Sequence, residues 1–227
     1  MLLTTVLHLL CLASLAAAFL FNRASWDGLK VTWGMDTHNP NTFAALPRQE
    51  SEAKQDGWTK IADCDKRNAV VSFLRQQQVS GVRYVKDNDY SIILLFDRNG
   101  YIAGIQCGNG TDPVSHSIHI PMRETGLATT SWTKGHCFAY MGMHYWHNLT
   151  ADMSCEYFFP AFLLYNKGAL TAFGWATGLG LTSKRFEHPP HAAFSSFLNP
   201  VPLCLNQYAQ LSTMHIYFTS DPTAIAC

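Results

Sequence analysis

The chain has 227 residues, sixteen basic and sixteen acidic, and so carries no formal net charge with its histidines neutral. Only 14% of the residues are charged, against about 25% in an ordinary soluble domain, while 13% are aromatic. With no basic stripe to neutralise phosphates, nucleic acid is excluded as a partner class.

The chain opens on MLLTTVLHLLCLASLAAA, which has no acid or base and ends in Ala16-Ala17-Ala18, the small-residue pattern that a signal peptidase accepts. Residues 1–18 are therefore expected to be a signal peptide, and 19–227 a single secreted, disulfide-bonded domain. A membrane anchor would need about 20 apolar residues. Asn22 and Arg23 interrupt the first run, and YFFPAFLLY at 157–165 is short and broken by Pro160. The expectation is an extracellular protein with no membrane anchor.

Cleavage removes Cys11 and leaves Cys64, Cys107, Cys137, Cys155, Cys204 and Cys227. An even number in an oxidising compartment favours a disulfide framework, whose pairing the sequence leaves open. Neighbouring cysteines lie 18 or more residues apart, unlike the close-set pairs of zinc sites. Cys227, near the C-terminus, reads either as a staple or as a free thiol.

The first predicted strand is LKVTW (29–33). A short surface helix follows over 47–58, with Pro47 at its first position, Glu50 and Lys54 as an i,i+4 pair and Gly57 at its C-terminal end. VRYVK (82–86) alternates in strand fashion. DYSIILLFDRNGYIAGIQC (89–107) reads as a β-hairpin turning at Asn99-Gly100, and its continuously apolar SIILLF predicts a strand buried on both faces. CFAYMGMHYW (137–146), EYFFPAFLLY (156–165) and LTAFGWATGL (170–179) read as strands broken by Gly and Pro. HAAFSSFL (191–198) is one or two helical turns, and STMHIYFT (212–219) a late strand. The predicted fold class is α+β and β-rich: one domain with a mainly antiparallel sheet, short surface helices and disulfide stabilisation.

Two N-glycosylation acceptors are present, Asn109-Gly-Thr111 and Asn148-Leu-Thr150. The histidines form three H-x-x-H pairs: His116/His119, His144/His147 and His188/His191. Such spacing aims two imidazoles at one point on a helix, and in HPPH a polyproline turn places both on one face. In a strand the same spacing sends them to opposite faces, which counts against HSIH. A copper or zinc site would combine HYWH (His144, His147) and HPPH (His188, His191) with His116, His136 or His215. The plainer reading is scattered surface or core histidines.

G-x-S-x-G, H-E-x-x-H, Walker and G-x-G-x-x-G motifs are all missing, so no catalytic residue is assigned and enzyme status stays open. His136 adjoins Cys137, but adjacent strand side chains point apart, and Cys137 reads as half of a disulfide. Asp87, Asp89 and Asp97 read as turn and strand-end residues. The aromatic group Trp132, Tyr140, Tyr145, Trp146, Tyr157, Phe158, Phe159, Phe162, Tyr165, Phe173 and Trp175 reads either as plain core or as the wall of a pocket for a flat, apolar organic ligand.

The blocks VRYVKDNDYSIILLFDRNGYIAGIQ (82–106), LTAFGW (170–175), HPPHAAFSSFLNPVPLC (188–204) and TMHIYFTSDP (213–222) resemble a family of secreted invertebrate proteins. In size, signal peptide, cysteine number and glycosylation the chain is similar to pholasin-like bivalve photoproteins. That resemblance implies a glycoprotein that binds a luciferin-like organic chromophore and emits light when the chromophore is oxidised, with Cys227 as a candidate anchor. Three readings result. The first is a secreted small-ligand-binding glycoprotein, in its narrower form a photoprotein whose partner is a small apolar aromatic molecule. The second is a histidine-ligated copper or zinc oxidoreductase, and the third a disulfide-stapled structural or interaction protein.

Overall fold

The computed structural model describes residues 26–34, 36, 39–63, 81–106 and 119–227. The expected signal peptide, Cys64, Cys107, Asn109 and His116 lie outside the described residues. Two antiparallel sheets make up the fold. The larger has seven strands in the order β2-β1-β11-β10-β9-β8-β7, and the smaller is the meander β3-β4-β5-β6. Their ranges are β1 Lys30–Thr32, β2 Phe43–Ala45, β3 Thr59–Ala62, β4 Val82–Lys86, β5 Asp89–Phe96 and β6 Ile102–Gln106. The second half supplies β7 Trp132–Phe138, β8 Gly142–His147, β9 Ala161–Asn166, β10 Ala169–Thr177 and β11 Ser212–Tyr217. The β-rich α+β class read from the sequence is what the chain adopts.

The helix, α1, runs over Glu50–Gln55 and starts later than Pro47 suggested. Glu52 Oε2 accepts from the backbone of Arg48 and Gln49, which fixes the start three residues inward. The Glu50–Lys54 pair forms at 3.0 Å. At the hairpin between β5 and β6, the Asp97 carboxylate accepts from Asn99 N and Tyr101 N, and Gly100 takes the left-handed backbone. The stretch 137–146 is two strands rather than one, because Tyr140 and Gly142 turn the chain between β7 and β8.

Side-chain alternation sorts the seven-stranded sheet into two faces. Val31, Met214 and Ile216 pack with Tyr84, Ile92, Leu94 and Phe96 of the smaller sheet. Ile93 and Leu95 are buried on the other face of β5, so SIILLF is buried on both sides as its continuous apolarity required. At the β7–β9 end, Tyr145, Leu163 and Tyr165 are covered by residues 119–131, where Trp132 Nε1 donates to His119 O at 3.1 Å. The opposite face carries Trp146, Phe162, Leu164 and Tyr217, which pack under the long connection from β10 to β11 through Phe194, Phe197, Leu198 and Leu205.

Two disulfides brace this second face. Cys137–Cys227 ties the C-terminus to β7, and Cys155–Cys204 ties the loop before β9 to the long connection. No helix among the described residues is long and apolar enough to cross a membrane.

Candidate functional site

Beneath the β10–β11 connection lies a cavity of about 560 Å³. Its floor is the seven-stranded sheet (His144, Trp146, Phe162, Thr213, His215), and its roof is the connection (Glu187, Pro189, Pro190, Ala193, Phe197). The β7–β8 turn (Phe138, Ala139, Tyr140, Met141) and Asp36 form the rim.

Under the floor, β10 turns Ala172, Gly174 and Ala176 to this face while Phe173 and Trp175 point the other way. A Cβ at Gly174 would strike the Phe162 ring and Met214 O. Glycine there lets the Phe162 ring lie across the strand, where it becomes part of the floor. Trp146 stacks beside Phe162 with ring centroids 4.7 Å apart, and its Nε1 donates to Phe197 O at 3.1 Å. Those contacts hold the indole upright as a wall. Phe197 leans against Trp146 from the roof at 6.1 Å.

His144 is held by a β-bulge. Between the pairs Lys134↔Tyr145 and Cys137↔Met143, two residues of β7 face His144 alone. The bulge turns the His136 carbonyl toward the imidazole, whose Nδ1 donates to His136 O at 3.2 Å and Gly142 O at 3.1 Å. Both partners only accept, so Nδ1 carries the proton and Nε2 is a lone-pair acceptor without a partner among the described residues. Burial, with the nearby His215, pushes the His144 pKa down to about 3. His144 is therefore neutral at physiological pH.

His215 stands on β11 opposite Gly174, its ring stacked on Tyr217 and 6.2 Å from the His144 ring. Glu187 is clamped to the same strand by two backbone bonds, Glu187 N to Thr213 O at 2.7 Å and Thr213 N to Glu187 O at 2.9 Å. Its Oε1 lies 3.4 Å from His215 Nδ1, too poorly aligned to hydrogen-bond, and both buried atoms are left without a hydrogen-bond partner. The two atoms face each other below the lining, while the rest of each side chain borders the cavity.

Of the H-x-x-H pairs, His116/His119 falls partly outside the described residues, and the members of the other two engage different partners. In β8, His144 faces the cavity while His147 faces away, against Trp132 and Phe159. His188 Nδ1 lies 3.3 Å from Ser212 Oγ, and His191 Nε2 contacts Tyr208 O at 3.0 Å. Among the described residues no group of three His, Cys, Asp or Glu side chains is placed to hold a metal ion. Cys227 is joined to Cys137, so its sulfur is a staple beside the cavity rim and offers no free thiol to a chromophore. Asn148 and Thr150 are exposed at the end of β8, where a glycan has room.

The aromatic group splits as well. Tyr140, Trp146 and Phe162 line the cavity, and Phe158 backs Trp146. Trp132, Tyr145, Phe159 and Tyr165 fill the reverse face, and Tyr157 is 75% exposed. Glu187, Asp36, Phe138 and Phe197 were not singled out from the sequence. The signal that could have drawn attention to Glu187 is its place directly before HPPH. No protein-family model matches the chain, and neither a curated protein nor a solved structure matches it.

Proposed function

We propose that the chain is a secreted, N-glycosylated protein that binds a small, flat, largely apolar organic molecule in the cavity under the β10–β11 connection. The observation that carries this reading is the cavity itself. Its volume of about 560 Å³ falls within the roughly 300–1,000 Å³ of small-molecule sites, and such sites join aromatic walls to a few fixed polar groups. Trp146, Phe162, Phe197, Tyr140 and Phe138 supply the walls. His144, His215 and Glu187 supply the polar corner. The exposed Asn148-Leu-Thr150 sequon supports glycosylation of the same chain.

In its narrower form the reading is a photoprotein that holds a luciferin-like chromophore here and emits light when that chromophore is oxidised. With Cys227 engaged by Cys137, the chromophore would be held by packing and hydrogen bonds rather than by that thiol. The copper or zinc reading has less support, since the strand places His144 and His147 on opposite faces.

The test is the mass of protein purified from its natural source, measured under native and then denaturing conditions. An organic molecule bound one per chain and released by denaturation is the expected result. A native mass explained by chain, glycan and disulfides alone would overturn the reading of a resident ligand.

A further inference from the structure

Three features of the cavity constrain the chemistry of what it holds. The first is the sense of its hydrogen bonding. His144 Nε2 can only accept, because Nδ1 is committed as donor to two carbonyls. The Glu187 carboxylate, which lines the cavity, can only accept as well. A ligand that satisfies this corner must bring donors.

The second feature is charge. Glu187 lines the cavity, and among the described residues no lysine or arginine does. His144 is neutral, so the Glu187 carboxylate has no fixed cation beside it in that lining. The third is the walls. Trp146 and Phe162 lie next to that corner, with Phe162 5.1 Å from the His215 ring. A cation beside aromatic faces is attracted by their quadrupoles, most strongly where water is excluded.

We propose that the ligand is an aromatic amine in its ammonium form, its ring against the aromatic lining and its N–H groups directed to the Glu187 carboxylate and His144 Nε2. This inference rests on the ligand-binding reading above and adds the class of the ligand. It accounts for the rigid placing of Glu187. The two backbone bonds to Thr213 hold the carboxylate in place against the cavity.

The experiment is calorimetric titration of the full-length secreted glycoprotein with three probes of one shape and different charge: tryptamine, 3-ethylindole and indole-3-propionate. Tryptamine should bind at least about tenfold more tightly than 3-ethylindole, with the propionate weakest. In Glu187→Gln the tryptamine affinity should fall about tenfold, while 3-ethylindole binds as before. If 3-ethylindole matches tryptamine in the wild type, or Glu187→Gln leaves tryptamine unaffected, the amine inference falls and the cavity reading stands. Failure of all three probes to bind would overturn both. Should Glu187→Gln not fold, the ranking on the wild-type protein decides alone.

Discussion

Arg185 and Glu187 are two residues apart in the β10–β11 connection, and each is half of a buried acid–base pair. The Arg185 pair is nearly saturated. Its guanidinium meets Asp89 Oδ2 at 3.2 Å, Ser91 Oγ at 3.2 Å and Asp89 O at 3.4 Å. Ser183 Oγ donates to the same carboxylate at 2.6 Å, and Trp33 and Trp58 flank the cation. The Glu187 pair is different: it meets His215 at 3.4 Å, and neither facing atom hydrogen-bonds. The first pair joins the long connection to the smaller sheet, with only a guanidinium Nε lacking a partner in the same way. The second borders the cavity. A densely bonded pair serves structure, and a loosely held carboxylate beside open volume can serve a ligand.

Breaking the saturated pair should have the largest effect. Arg185→Ala leaves Asp89 without its cation and should cost about 3–5 kcal/mol in urea unfolding. Burial raises the Asp89 pKa, but hydrogen bonds from Ser183 and Ser91, with the charge of Arg185, outweigh it and hold the group below its ordinary value. The stability it lends is therefore complete above the ordinary carboxylate range and lost as pH falls through it. The variant's acid limb should be flatter than that of the wild type.

Next in size is the brace beside the cavity. Replacing Cys137 and Cys227 together by Ser should cost about 2–4 kcal/mol, read as a lower denaturation midpoint. Because Tyr140 N donates to Ile225 O at 3.2 Å, the loss should also speed amide exchange at the β7–β8 rim more than in the β3–β6 sheet.

His144 sharpens the comparison through pH. The unfolded chain protonates this imidazole near 6.5 and the folded one only near 3. The unfolded state therefore binds more protons in between, and stability should fall as pH drops from 6.5 toward 3, by up to about 1.4 kcal/mol per pH unit. His144→Phe should flatten that slope in equilibrium unfolding between pH 4.5 and 6, which are about the limits for a clean comparison with the Asp89 limb. The smallest effect belongs to the unsaturated pair itself. Glu187→Gln should change the unfolding free energy by no more than about 1 kcal/mol, because the wild-type carboxylate makes no hydrogen bond at Oε1 to lose.

Much of the frame was legible from local pattern. The hairpin of β5 and β6 is marked by its apolar run and its Asp-Arg-Asn-Gly turn, and β1, β4 and β11 by short alternating stretches. The split of His144 from His147 follows from β8 running through His147, one residue beyond the strand read from the sequence, so that residues three apart take opposite faces. The cavity was not legible, because it is made by contacts between distant segments. Glu187 meets His215 through a bridge to Thr213, and Phe197 reaches Trp146 across 51 residues. One local trace did exist: in LTAFGWAT the small residues Ala172, Gly174 and Ala176 alternate with large ones. A strand with a small-residue face leaves room above it, but the pattern does not say whether a neighbour fills the room. Over Gly174 the ring of Phe162 fills it, and that ring is part of the cavity floor.

The most direct test is fluorescence titration with the neutral aromatic amine N-phenyl-1-naphthylamine, run on the wild type and on Ala193→Trp, which puts a bulky ring into the roof. Ala193 is only partly buried, so equal denaturation midpoints would verify the variant's fold. The predicted result is saturable binding of one probe per wild-type chain, weakened at least about tenfold in Ala193→Trp as contacts at the roof are lost. Equal binding by both proteins, or no saturable binding by the wild type, would contradict a ligand site beneath the β10–β11 connection.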